Sequence, residues 1–84
     1  MTRLWSNGQP IHVTLGTGDL PLAFVWQGQK HQVDDISRRW RVDLGWWQLR
    51  VWRDYFRLST DTGLLVEIYR DLTNGGWYLQ RLYD

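Results

Sequence analysis

The chain has 84 residues, no cysteine and a formal net charge of +1. This length indicates one small domain, and the lack of cysteine excludes disulfides and thiolate metal sites. No apolar run reaches the roughly 18 residues that span a membrane, and the N-terminus lacks the apolar stretch of a signal peptide, so we expect a soluble cytoplasmic protein.

The first third of the chain predicts short β-strands. Residues 1–9 are polar, and we expect a loosely ordered segment there, followed by a single β domain over 10–84. Strands are predicted at 10–15 and 22–27, where large apolar side chains alternate with other residues. Gly28-Gln29 between strands predicts a type II′ hairpin turn, because glycine suits its first central position.

The apolar residues between positions 30 and 44 fit both the period of a strand and the period of a helix. Ile36, Trp40 and Leu44 share a face both in a strand and in a helix, and Asp34-Asp35 is a suitable helix start. We favour a long strand bulged near Asp34, because the preceding hairpin needs a partner strand; a helix is the alternative.

The rest of the chain again predicts strands and turns. Gly45-Trp46-Trp47 breaks the pattern and predicts the start of an exposed loop, which continues from Gln48 to Asp54. Turn sequences, among them Asp61-Thr62-Gly63, then separate three strands in a C-terminal meander, predicted at 55–60, 64–70 and 77–83. Alternation along 64–70 predicts that Val66 and Ile68 face inward and that Glu67 and Tyr69 face outward. The sequence therefore predicts an all-β fold, a small barrel or strongly bent antiparallel sheet of five to six strands.

Tryptophan and arginine are unusually abundant. The chain has seven tryptophans, several times the average usage, and nine of its ten basic residues are arginine. Four of those tryptophans and six arginines lie between residues 38 and 57, against two aspartates. Arginine forks onto phosphate oxygens, and exposed rings stack on bases, so this mixture is typical of single-stranded nucleic-acid binding.

The predicted nucleic-acid-binding residues come from this segment. The arginines would neutralise phosphates, and Trp46 and Trp47 would stack on bases, with Trp40 and Trp52 as further candidates. The full set is Arg38, Arg39, Trp40, Arg41, Trp46, Trp47, Arg50, Trp52 and Arg53. One alternative is that the arginines shield rings and pair with nearby aspartates. Another is a protein-interaction module that docks through exposed tryptophan and arginine, which also anchor protein interfaces, or through an edge strand.

Catalytic and metal-binding patterns are not found. His12 and His31 lack metal-ligand spacing, and Asp34-Asp35 in a strand would point to opposite faces. Gly16-Thr17-Gly18 lacks the further residues of a dinucleotide or phosphate loop. We therefore expect no enzyme, no metal and no cofactor.

Several segments resemble a known family. These are FVWQG at 24–28, RDYFRL at 53–58, DTG at 61–63, EIYRD at 67–71 and GWYL at 76–79. Over residues 22–84 the chain resembles a small bacterial domain family of unknown function, found as short stand-alone proteins and at the tail of actinobacterial Y-family-polymerase-like proteins of DNA-damage mutagenesis. The resemblance implies a DNA-repair setting, with single-stranded DNA or a DNA-repair protein as partner, and it assigns no active site.

Overall fold

Six antiparallel strands form the protein in a computed structural model, which describes residues 2–46 and 49–83. Each strand pairs with the next, and the last pairs with the first, so the sheet closes into a ring. The strands are β1 (Arg3–Leu15), β2 (Pro21–Trp26), β3 (Gln29–Trp46), β4 (Leu49–Thr60), β5 (Leu65–Asp71) and β6 (Trp77–Tyr83). The all-β prediction and the C-terminal meander are confirmed.

The long strand β3 pairs with two different strands along its length. It pairs with β2 through residues 29–32 and with β4 through residues 33–46. Its register shifts between Val33 and Asp35 and again between Ile36 and Arg38, so the predicted bulge near Asp34 is confirmed. Residues 30–44 are strand rather than helix because neighbouring strands supply backbone partners along both parts of this segment.

The core lies inside the ring and is built from every second residue. Phe56, Ile68 and Leu79 are directly paired across β4, β5 and β6, so their side chains share one face. All three are at most 1% exposed, and Leu58 and Val66 beside them are fully buried. Burying five such side chains, at about 1.5–3 kcal/mol each, supplies much of the stability of a domain this small.

Three local predictions are wrong. Residues 3–9 are not loose but form the start of β1, which pairs with β6 at Arg3 and Leu4 and again from Gln9, with a large bulge between Leu4 and Gln9. The β2–β3 turn is at Gln27-Gly28 rather than Gly28-Gln29. Both of its residues have positive φ, of +51° and +73°, which is a type I′ turn whose twist matches the flanking strands.

The third wrong prediction is the exposed loop that we expected from residue 45 to residue 54, of which residues 47 and 48 lie outside the described part of the chain. β3 instead continues to Trp46, and β4 begins at Leu49, with these two residues paired. The strands continue because Val51 and Trp52 add β-forming side chains, and every residue from 49 to 54 has a partner across the hairpin. The Gly63 turn is at its predicted position, with φ of +87°.

No helix in the described part of the chain combines the length and the hydropathy needed to cross a membrane.

Candidate functional site

Eight of the nine predicted site residues lie on one hairpin, and the ninth, Trp47, lies outside the described residues. We call residues 38–46 of β3 and 49–57 of β4 the β3–β4 hairpin, because their register is uninterrupted from Arg38 opposite Arg57 to Trp46 opposite Leu49. β5 accompanies β4 only as far as Arg53. The hairpin therefore extends past β5 as a two-stranded arm.

The two faces of this hairpin divide the predicted residues. Directly paired residues share a face, and successive residues alternate between faces. The inner face, continuous with Phe56 of the core, carries Arg39, Arg41, Asp43, Arg50, Trp52 and Asp54. The outer face carries Arg38, Trp40, Val42, Leu44, Val51 and Arg53. The side chain of Trp46 and the whole of Trp47 lie outside what the structure describes.

Asp54 organises the arginines of the inner face. The Arg41 Nε and Nη2 groups donate to its two carboxylate oxygens, at 2.7 and 3.1 Å. Arg39 Nη2 lies 3.6 Å from the same carboxylate. The hydrogen bond from Arg41 outweighs burial and lowers the pKa of Asp54, and it raises the pKa of Arg41. One carboxylate thus holds two guanidinium groups side by side, with an excess of positive charge.

The remaining inner-face groups extend this basic surface along the arm. Arg50 Nη2 lies 3.6 Å from Asp43, and the Arg50 guanidinium lies 4.5 Å from the centre of the Trp52 ring. The side chains of Arg39, Arg41 and Arg50 remain 51%, 54% and 55% exposed. Each of these arginines therefore lies beside a carboxylate and yet still faces solvent.

Arg70 is a fourth inner-face cation that the sequence analysis missed. It lies opposite Asp54 across β4 and β5, and its guanidinium is 5.7 Å from the Trp77 ring centre. Its Nε is buried with no hydrogen-bond partner among the described residues. The signal for Arg70 is its pairing with Asp54 across two strands, and that pairing can be read only once the strand register is known.

The outer face carries a row of four rings across four strands. Trp40, Tyr55, Tyr69 and Tyr78 are paired in register, and each neighbouring pair of ring centres is 5.2 Å apart. Tyr69 is only 2% exposed, because β1 crosses above it and its hydroxyl donates to the Asn7 carbonyl at 3.1 Å. This row is therefore a second packed layer rather than an open stacking platform.

Guanidinium groups cover the rings of this layer. Arg38 lies 4.8 Å from the Trp40 ring centre, and Arg53 lies 4.4 Å from that of Tyr69. Arg53 Nη1 also donates to the Tyr55 hydroxyl at 3.1 Å. A base that stacked on the arginine-covered face of Trp40 or Trp52 would have to displace a guanidinium group.

Glu67 is a second buried carboxylate that the sequence analysis placed on an outward face. It accepts hydrogen bonds from Arg57 Nη2 at 2.8 Å and from the Tyr83 hydroxyl at 2.7 Å, and Arg81 lies 3.8 Å away. Burial acts to raise its pKa, but the hydrogen bonds from Tyr83 and Arg57 outweigh it and leave the pKa lowered. This cluster ties β4, β5 and β6 together beside the hairpin.

The two histidines lie apart. His31 is 4% exposed, stacks on Phe24, and its Nδ1 is 2.5 Å from the Thr62 hydroxyl, whereas His12 is exposed. Over residues 2–46 and 49–83, no three metal-ligating side chains form a group that could hold an ion.

Comparison with known proteins agrees with the resemblance found in the sequence. Protein ImuB of Caulobacter vibrioides, in strains NA1000 / CB15N and ATCC 19089 / CIP 103742 / CB 15, is 30% identical over 77 residues. The match covers 75% of this chain but only 17% of either relative. No solved structure matches the chain. The family described as a domain of unknown function (DUF6504) matches residues 6–84, nearly all of the ring, and the chain belongs to this family.

Proposed function

We propose that this chain is a non-catalytic module whose β3–β4 hairpin binds single-stranded nucleic acid without reading its sequence. The observation that carries the proposal is the inner face of the hairpin. There Arg39, Arg41 and Arg50 keep about half of each side chain exposed while sharing only two carboxylates.

Phosphates, rather than bases, are the groups that this inner face would contact. An arginine fork fits two oxygens of a phosphate, and Arg41 keeps donors free because Asp54 uses only two of its five N–H groups. Base stacking is proposed for Trp46 and Trp47, since Trp40 and Trp52 already lie against arginines.

The setting that we propose is DNA repair. It rests on the likeness to Protein ImuB and on the resemblance to DNA-damage mutagenesis proteins. The chain spans about 17% of Protein ImuB, so the proposal concerns a binding contribution of this domain within a larger task. We propose no catalytic residue.

The test measures binding of a fluorescently labelled single-stranded oligonucleotide by anisotropy over a series of salt concentrations. Three phosphate contacts predict a slope of log Kobs against log salt of about −2, at about 0.7 per contact. Arg50→Gln should weaken binding for all sequences and reduce the slope by about 0.7. Arg3→Gln, an exposed arginine on β1, is the matched control and should leave the slope unchanged.

Two outcomes would contradict the nucleic-acid proposal. One is the absence of binding at low salt in the micromolar range. The other is binding that does not respond to salt, because phosphate neutralisation necessarily releases counterions.

A protein-interaction module is the second candidate. It is favoured by an edge of β3 that no described strand covers and by Leu44, whose exposure of 62% is the highest among the described exposed large apolar residues. Such an edge can add a strand from another protein, with backbone hydrogen bonds giving affinity.

A further inference from the structure

The arm of the hairpin has one open edge along β3. β2 accompanies β3 only over residues 29–32, and β4 occupies the other side of β3 from residue 33 onward. From Arg38 to Trp46 the register with β4 is free of bulges. Nine consecutive residues, about 30 Å of regular strand, therefore present an edge that no described strand covers.

Regular exposed edges of this length pair readily with other strands unless something blocks them. The two bulges of β3 lie before Arg38 and do not distort this edge. Its partner must therefore match the side chains that alternate along residues 38–46.

We propose that this edge pairs antiparallel with the same edge of a second copy of the chain, in a two-fold symmetric register centred on Val42. In this register Arg41 lies opposite Asp43 of the second copy, and the symmetry repeats the pair. On the other face Trp40 lies opposite Leu44 of the second copy, again twice, and the two Val42 side chains meet. Each contact is thus a pair that stabilises antiparallel sheets.

Charge, face and the length of the overlap together select this register, because centring on Val42 pairs all nine residues from 38 to 46, whereas centring on Leu44 pairs only five of them. Directly paired residues share a face, so the outer apolar faces of the two copies join only when even-numbered residues of one copy pair with even-numbered residues of the other. Centring the pair on Arg41 would place Arg41 against itself, and centring it on Asp43 would place two carboxylates together. Centring on Val42 opposes no like charges between residues 38 and 46.

The residues involved are available for this contact. The Asp43 carboxylate is 52% exposed and lies 3.6 Å from its neighbour Arg50, a separation typical of a weak surface pair. Leu44 is 62% exposed and would pack on the Trp40 ring of the second copy. The proposal rests on the β3 edge and does not require that the hairpin bind nucleic acid.

The test is sedimentation equilibrium without nucleic acid over the micromolar range. The wild-type chain should sediment as a dimer, with twice the 10.1 kDa chain mass. Leu44→Lys should shift the mass to that of the monomer. Leu22→Lys, a matched control on β2 where Leu22 is 56% exposed, should leave the dimer intact. A wild-type monomer throughout, or a Leu44→Lys dimer as tight as wild type, would overturn the proposal.

A charge exchange tests the register itself. Asp43→Arg opposes arginines across the two-fold axis, and Arg41→Asp opposes aspartates, so each variant alone should be monomeric. An equimolar mixture restores both opposite-charge pairs, and it should form heterodimers. Circular dichroism checks that each variant is folded. If both folded variants remain dimeric alone, or if folded monomers do not associate on mixing, the register centred on Val42 is wrong.

Discussion

Replacing Asp54 by asparagine separates the structural role of this carboxylate from its effect on binding. Asp54 is 7% exposed and accepts two hydrogen bonds from Arg41. The asparagine side chain would keep the shape of the aspartate but lose its charge. Hydrogen bonds to charged groups contribute about 1.5–3 kcal/mol, and solvent around the half-exposed Arg41 reduces this, so we expect a loss of about 1–2 kcal/mol. Each kcal/mol lost from the free energy of unfolding lowers Tm by about 4–8 °C in a domain of this size.

The pH dependence of this loss has a definite sign. The folded-state pKa of Asp54 lies below its ordinary value of 3.8. The stabilisation is therefore complete above that ordinary value and disappears as the pH falls through the lowered folded-state pKa. Urea unfolding at neutral pH and at successively lower pH should show the wild type and the Asp54→Asn variant converging in acid.

The same substitution should strengthen nucleic-acid binding. Releasing Arg39 and Arg41 from their shared carboxylate adds one uncompensated positive charge, which should steepen the salt slope by about 0.7. Asp19→Asn, in the exposed turn between β1 and β2, changes the net charge equally and serves as the control. A folded Asp54→Asn variant that binds no more tightly than Asp19→Asn would refute a phosphate-binding role for the inner face.

Three further predictions concern stability, measured by urea unfolding. Gly8→Ala would place a Cβ 2.6 Å from the Tyr69 hydroxyl oxygen at a φ of +71°, so it should lower the free energy of unfolding by more than about 2 kcal/mol. Gly28→Ala meets open space and should lower it by only about 1–2 kcal/mol. Equal losses in the two variants would contradict the close approach of Gly8 to Tyr69. Glu67→Gln removes charged hydrogen bonds and should lower the free energy of unfolding by about 2 kcal/mol at neutral pH. The difference between wild type and variant should vanish in acid, as the pH falls through the lowered pKa of Glu67. A difference that stays constant with pH would show that charge is not the cause. Leu58→Ala should cost about 2–5 kcal/mol, because Leu58 is fully buried in the core; a loss below about 1 kcal/mol would mean that the site collapses or is hydrated.

The strands near the C-terminus could be predicted closely because their signals are local. β6 has the predicted bounds of 77–83, and Phe56 and Leu58 on β4 are buried as their alternation indicates. Tyr69 and Glu67 were predicted to face outward, yet they are 2% and 7% exposed. They lie on the expected face, but β1 and neighbouring side chains cover it, and local alternation does not reveal that.

The candidate site shows the same limit. The sequence itself concentrates the predicted arginines and tryptophans in one segment, and the structure places those that it describes on one hairpin. The sequence analysis did not predict that Arg39 and Arg41 share Asp54, that Arg38 and Arg53 lie on the opposite face, or that Arg70 joins the inner face from β5.

Amino-acid order by itself determined the β-strand class, most turns and the basic aromatic character of the central segment, because side-chain alternation and turn chemistry act within a few residues. Tertiary structure alone decided which cations neighbour which carboxylates, which rings are covered and which edge stays open. Those features follow from the strand register and the bulges in β1 and β3, and closing a ring fixes them through contacts between residues far apart in the chain.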